Sequence, residues 1–187
     1  MPELLTGAKV RTLFDGVTRS AERLETRDHY GGDQAELEAW LGGQYEEIPE
    51  RAERAAWLER IRLQTSRGAR WRRVRIIREP PTVYQRFGLM SGRQNVEAGE
   101  QIHYLGRECA LAEDLPAHDF WLFDDERLAL MYFGFDDRLL GVQLVADTGV
   151  VAQHRVWLDR AFSVAPAYHE YLAADPTWAE RPGVRRG

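Results

Sequence analysis

Few side chains in this 187-residue sequence could do covalent or acid–base chemistry: there are five histidines, one cysteine and one lysine. The histidines, His29, His103, His118, His154 and His169, show no metal-ligand spacing, and there is no His-Glu-x-x-His, Cys-x-x-Cys, Gly-x-Ser-x-Gly or Gly-Lys-Ser/Thr phosphate loop. With Lys9 as the sole lysine, Schiff-base and lysine-assisted phosphoryl mechanisms have almost nothing to draw on. His118-Asp119 could orient an imidazole as a base, but neighbours on a strand face opposite sides, so a loop histidine beside a strand-starting aspartate is expected. Cys109, before Ala110 and Leu111, reads as a core residue. The acidic pairs Asp124-Asp125 and Asp136-Asp137 lack the alternating ligands of a calcium loop and read as solvated hairpin turns. No catalytic residue, cofactor or metal is expected.

Arginine carries the recognition chemistry instead. Arg67, Arg70, Arg72, Arg73, Arg75 and Arg78 form one basic concentration around Trp71. On a strand, Arg72 lies with Val74 and Ile76, whereas Arg73 and Arg75 lie with Trp71 and Ile77. Arg72, Arg73 and Arg75 could hold an anion or a nucleic-acid strand, or pair with the chain's own carboxylates. A second polar set is Arg19, Arg23 and Glu25 at the end of the first expected helix, with Asp28, Tyr30 and Tyr45 nearby in sequence; Arg19 and Arg23, four apart, share a helix face. With Tyr84, Arg86, Asn95 and Glu100 it makes a candidate ligand- or partner-binding group.

The elements that must position these residues follow from periodicity. Val10, Leu13, Phe14, Val17, Ala21 and Leu24 recur at steps of three and four, which predicts a helix over 9–26. Asp33 should cap a short helix ending at Gly42-Gly43, and a third helix is expected from Pro49 to Ser66. Residues 71–78 favour a strand stopping at Pro80-Pro81, followed by a helix toward Asn95. Phe120 to Phe123, Leu128 to Phe133 and Leu140 to Val145 read as three neighbouring antiparallel strands. A final helix from Val150 to Leu172 should break at Pro166. The expected fold is α+β: a helical N-terminal part, 9–67, packed on a mostly antiparallel sheet within an α/β part, 68–175, closed by a C-terminal helix. A flexible tail, 176–187, completes a single domain. Trp40 and Trp57, if outside the core, would mark a contact surface.

Hydrophobic residues are 44% of the chain, charged residues 29%, and the net charge is -5, a balance suited to a folded body and opposed to a broad nucleic-acid-binding surface. No apolar run spans a bilayer and no signal-like segment opens the chain, so no membrane partner and a cytoplasmic location are expected.

Leu13-Phe14, Arg23-Leu24-Glu25, the Trp57 helix, Arg73-Val74-Arg75-Ile76-Ile77, Tyr84-x-Arg86-Phe87, Asn95-Val96-x-Ala98-Gly99-Glu100, Asp119-Phe120-Trp121-Leu122-Phe123-Asp124 and Met131-Tyr132-Phe133 together resemble an actinobacterial family of unknown function. The resemblance covers Leu13 to Tyr171, and members are commonly encoded beside helix-turn-helix regulators of the WhiJ type. It implies a non-enzymatic regulatory protein partnering such a regulator, in a toxin–antitoxin-like or developmental module. The order from the Val-Arg strand to the Trp157 helix also resembles half of a phospholipase-D-like domain. That enzyme class requires His-x-Lys-x(4)-Asp, which is absent here, so this likeness implies a non-catalytic module. Two alternatives stay open: a nucleic-acid-binding toxin or accessory factor using Arg67 to Arg78, and a small-molecule sensor with Arg19, Arg23, Tyr84, Arg86 and Glu100 lining a pocket.

Overall fold

The structure is a computed structural model that describes residues 3–45 and 52–183. Seven α-helices and one six-stranded sheet are present among them: α1 (Ala8–Asp15), β1 (Ser20–Glu25), α2 (Gln34–Gly42), α3 (Ala52–Ser66), β2 (Arg70–Ile77), α4 (Val83–Glu97), β3 (Gln101–Gly106), α5 (Arg107–Ala112), β4 (Phe120–Phe123), β5 (Arg127–Phe133), β6 (Leu139–Val145), α6 (Thr148–Val164) and α7 (Tyr168–Ala174). The strand order is β3-β2-β1-β4-β5-β6. β1, β2 and β3 run parallel, and β4 to β6 continue the sheet antiparallel, so the α+β expectation and its three-stranded antiparallel half hold.

The expected helix over 9–26 is two elements. α1 ends at Gly16, and the chain turns into β1, the strand at the middle of the sheet. Ala21 and Leu24, which completed an apparent helical stripe, are both fully buried but face opposite sides of the sheet. The helical N-terminal part therefore contains a strand, and Arg19 and Arg23 do not share a helix face.

Side chains alternate across the sheet with period two. One face carries Ala21, Trp71, Trp121, Phe123, Ala129 and Val142 against Leu13 and Phe14 of α1 and Leu58 and Ile61 of α3. The other carries Leu24, Val74, Ile76, Phe120, Leu122 and Leu128 against Val151, Leu158 and Ala161 of α6. Because both faces are covered, β1 has no polar side to betray it, and its charged residues are inside.

The expectations for local starts and stops fare unevenly. Gly43 adopts the left-handed conformation expected after α2. Asp33 precedes that helix without capping it, because its carboxylate accepts a hydrogen bond from Tyr84 Oη at 2.7 Å instead. Residues 49–51 of the expected third helix lie outside the described residues. α4 opens on a reciprocal cap between Thr82 and Gln85. Pro166 does break the last helix into α6 and α7. Residues 176–183, expected as part of a flexible tail, pack back: Trp178 lies on Tyr171, and Arg86 donates to the carbonyls of Thr177 and Glu180.

Asp124 is not a solvated turn residue. It is buried, takes a left-handed conformation, and accepts hydrogen bonds from the amides of Thr18, Arg19 and Ser20, so it fastens the start of β1 to the β4–β5 turn. Burial alone would raise its pKa, but those amide donors hold it below the ordinary carboxylate value. Cys109 is exposed on α5 rather than in the core.

Candidate functional site

β1, β2 and β3 present one face beneath α4, and the loop after β1 places Tyr30 and Asp33 beside it. Between these parts lies a cavity of about 390 Å³, within the ~300–1,000 Å³ range of small-molecule sites. It lies on the face of the sheet, against alternate residues of β1, β2 and β3 and the helices α3 and α4.

The floor comes from alternate residues of adjacent strands. Arg23 and Glu25 project from β1, Arg73 and Arg75 from β2, and Ile102 and Tyr104 from β3. The parallel register sets Arg23 beside Arg73 and Glu25 beside Arg75. α4 supplies Tyr84, Phe87, Ser91 and Asn95, α3 supplies Arg54 and Trp57, and Tyr30 and Asp33 come from the loop after β1. Two glycines make this approach possible. A Cβ on Gly88 would stand 3.1 Å from Arg75 Nη1, and one on Gly92 would stand 3.0 Å from Tyr104 Oη.

Glu25 is the electrostatic centre. Its carboxylate meets Arg23 at 2.6 Å, Arg73 at 3.2 Å and Arg75 at 3.5 Å. Burial would raise its pKa, but the three guanidinium groups outweigh burial and hold it at about 2. Arg73 also reaches Glu100 at 2.7 Å, and Asn95 donates to the same Glu100 oxygen at 2.6 Å. Arg23 lies over the rings of Tyr30 and Trp121, and Asp119 stands 3.5 Å from it. Asp119 also accepts from Tyr30 Oη and from the amide and hydroxyl of Thr26. Arg54 is held by the carbonyl of Ser91 and by Asn95 Oδ1 at 2.8 Å.

Arg75 is placed differently from its neighbours. It is 7% exposed, its guanidinium stacks between the rings of Tyr30 and Tyr84 at 5.4 and 5.5 Å, and its Nε and Nη2 are buried without a hydrogen-bond partner. Burial favours the neutral form of an arginine, yet Glu25 holds Arg75 charged above the ordinary value. Burial also raises the pKa of Tyr30, Tyr84 and Tyr104, so all three phenols stay protonated.

The expected site residues thus divide. Arg23, Glu25, Tyr84 and Asn95 meet at the cavity, and Glu100 lies directly behind it on Arg73. Arg19 sits away from it, bonded to Glu126 and the Asp124 carbonyl, and Arg86 braces residues 177–180. Arg73 and Arg75 enter the same cavity, whereas Arg72 is on the opposite face, paired with Glu22 at 2.9 Å and stacked on Phe162. Arg72, Arg73 and Arg75 therefore share no surface. Glu22 is fully buried beneath Arg70, Arg72 and Arg155, a charged knot that ties α6 to β1 and β2. Trp40 is core and Trp57 is half-buried at the cavity wall.

Sequence reasoning missed Arg54 and Asp119 as members of the site, and it missed the pairing of His118 with His154, whose Nε2 atoms are 3.0 Å apart. Each depends on residues far apart in sequence. Among the described residues, no group of three or more His, Cys, Asp or Glu side chains is placed to hold a metal ion, and no helix is long and apolar enough to cross a membrane.

Fold and site define an α+β protein with an arginine- and tyrosine-walled cavity. The chain belongs to the family described as Domain of unknown function (DUF6879), whose model matches residues 8–173. A comparison with curated proteins found no match.

Proposed function

We propose that this protein is a non-enzymatic regulatory protein that binds a small organic ligand in the cavity under α4. The observation that carries this reading is the wall itself: a cavity of about 390 Å³ is lined by Arg23, Arg54, Arg73 and Arg75 beside the rings of Tyr30, Tyr84 and Tyr104. The cavity's chemistry favours recognition over turnover. Its lining contains neither histidine nor cysteine, Glu25 titrates near pH 2, and the tyrosines titrate well above neutrality, whereas an effective general acid or base needs a pKa near the working pH.

The test is a thermal-shift screen of the purified protein against a mixed library of organic acids, phosphate esters and neutral metabolites. Hits should stabilise the wild type and lose their effect in Arg54→Ala or Ser91→Trp, which alter or fill the cavity. A library without a stabilising member rejects the reading.

A partner-binding role, through a helix-turn-helix regulator in the cytoplasm, is supported by one further observation. Phe135 is fully exposed at the β5–β6 turn, Leu140 and Leu144 are exposed on β6, and Phe133, Asp137 and Leu139 at the root of that hairpin line the cavity. An occupied cavity would thus be felt at an apolar edge. Co-expression with the regulator encoded beside it should give a complex on size-exclusion chromatography that Phe135→Asp with Leu140→Asp disrupts; a complex unaffected by these changes rejects that surface.

A further inference from the structure

We infer that the ligand is an uncharged amphiphile: a hydroxyl-, ester- or amide-bearing head lies among the arginines and tyrosines, and a short apolar tail enters a second chamber beside them. This rests on the ligand-binding reading and specifies its chemistry.

Three observations lead to it. The first is the second chamber itself, a cavity of about 180 Å³ on the same face of the sheet. Arg23, Trp57, Met131 and Leu139 line both cavities. β5 gives their order: Ala129 lines only the second, Met131 lines both and Phe133 only the first, so the chambers follow one another along the strand. At about 3.4 Å per residue, the distance from Ala129 to Phe133 is roughly 13 Å, the length of a small amphiphile rather than of a compact polar metabolite.

The second is the contrast between the chambers. Among the described residues, Arg23 is the one charged side chain of the second, and the rest of its wall is apolar, including Leu13, Phe14, Trp121, Phe123 and Val142. At about 30 Å³ per water-sized group, it has room for a chain of about six methylenes. Val10, Trp57 and Met131 of this wall are only half-buried and Leu139 is 42% exposed, so apolar surface remains for a tail to cover.

The third is charge. Arg23, Arg54, Arg73 and Arg75 line the first chamber and Arg27 is paired with Asp137 on its wall. Among the described residues, Glu25, Asp33 and Asp137 on the wall, with Glu100 and Asp119 behind it, match those arginines one for one. A charged head would enter a balanced site and be buried without a counter-charge of its own. A neutral head that exchanges hydrogen bonds with Ser91, Asn95 and the tyrosine hydroxyls avoids that cost.

The experiment is isothermal titration of the full chain with monoacylglycerols carrying butanoyl, hexanoyl, octanoyl and decanoyl chains, each below its micelle concentration. Octanoate and octyl phosphate serve as charged counterparts. On the wild type, affinity should rise about threefold to fourfold per methylene up to the octanoyl ester and level off at the decanoyl ester. Octanoate and octyl phosphate should bind at least about tenfold more weakly than the octanoyl ester. Val10→Trp fills the second chamber from α1 and should weaken the octanoyl ester by about tenfold or more, so that the series becomes level. Far-UV circular dichroism with a melting curve checks that this variant folds, and Ala129→Leu, which enters the chamber from the sheet, repeats the measurement. The wild-type series needs neither variant. Affinity independent of chain length, an octanoyl ester unaffected by a folded filling variant, or a charged counterpart that binds as tightly each overturns the assignment. If no ester binds while the mixed library yields stabilising compounds, the assignment falls and the ligand-binding reading stands.

Discussion

Replacing Glu25 by Gln removes one negative charge from the point where Arg23, Arg73 and Arg75 converge. The amide has nearly the same shape, so the perturbation is electrostatic. The carboxyl is 2% exposed, and its pKa falls from the usual 4.5 to about 2. At about 1.36 kcal/mol per pH unit, this corresponds to roughly 3 kcal/mol of native-state stabilisation. Breaking a buried ion pair from one side costs about 3–5 kcal/mol, which agrees in size. Against a typical total of about 5–15 kcal/mol, Glu25→Gln should remain folded with a large loss. The pH dependence has a definite sign. A depressed carboxyl contributes fully above its unfolded value, near 4.5, and loses that contribution as pH falls through its folded value, near 2. Urea unfolding of both proteins at pH 7 should therefore differ by roughly 3 kcal/mol, and the gap should shrink as pH falls below 4.5 and close only below about pH 2. A difference under about 0.5 kcal/mol at pH 7, or a gap independent of pH, would refute the idea that this carboxylate organises the arginines.

Three other outcomes follow from the contacts described. Gln64 accepts from Trp71 Nε1 at 3.0 Å and donates to the Phe14 carbonyl at 2.7 Å, so Gln64→Leu strands two buried polar groups and should cost about 2–4 kcal/mol in chemical denaturation. A Cβ on Gly31 would lie 2.5 Å from the Asp136 carbonyl oxygen, so Gly31→Ala should push the β5–β6 turn away, lower stability by about 1–3 kcal/mol and hasten proteolytic cleavage within 134–138. Burial and their mutual contact lower the pKa of His118, and burial lowers that of His154. Imidazole NMR titrations should have midpoints below 6.5, and the pair's contribution to stability, complete above pH 6.5, should be lost as pH falls through those midpoints.

The sheet's antiparallel half was readable because β4, β5 and β6 are apolar runs separated by acidic turns, and β2 was readable because its branched residues stop at two prolines. β1 was not. Its six residues are Ser-Ala-Glu-Arg-Leu-Glu, a composition typical of an exposed helix, and only the guanidinium and carboxylate groups of its neighbours make burial of Glu22 and Glu25 tolerable. Apart from Arg23, those neighbours lie 48 or more residues away, beyond any periodic signal. The site shows the same division. Placing Arg73 and Arg75 on one face needed only strand alternation, whereas Arg54 and Asp119 join through loop and helix packing that no local pattern encodes.

Asp124 binds the amides of residues 104 to 106 positions earlier in the chain. The middle strand of the sheet therefore cannot be completed as it emerges from the ribosome. It gains its parallel partner only once residues 70–75 exist and its antiparallel partner only after residue 123. At about 5–20 residues per second, the nascent chain would carry β1 and its charges unpaired for several seconds. Strand pairings over such separations also slow the search in refolding, because long loops must close before their contacts contribute. A truncated or stalled chain ending before residue 120 would keep the sequences of α1 to α5 but lack β4 and α6, which let β1 be buried, so synthesis through the start of β6 is a condition for forming the cavity.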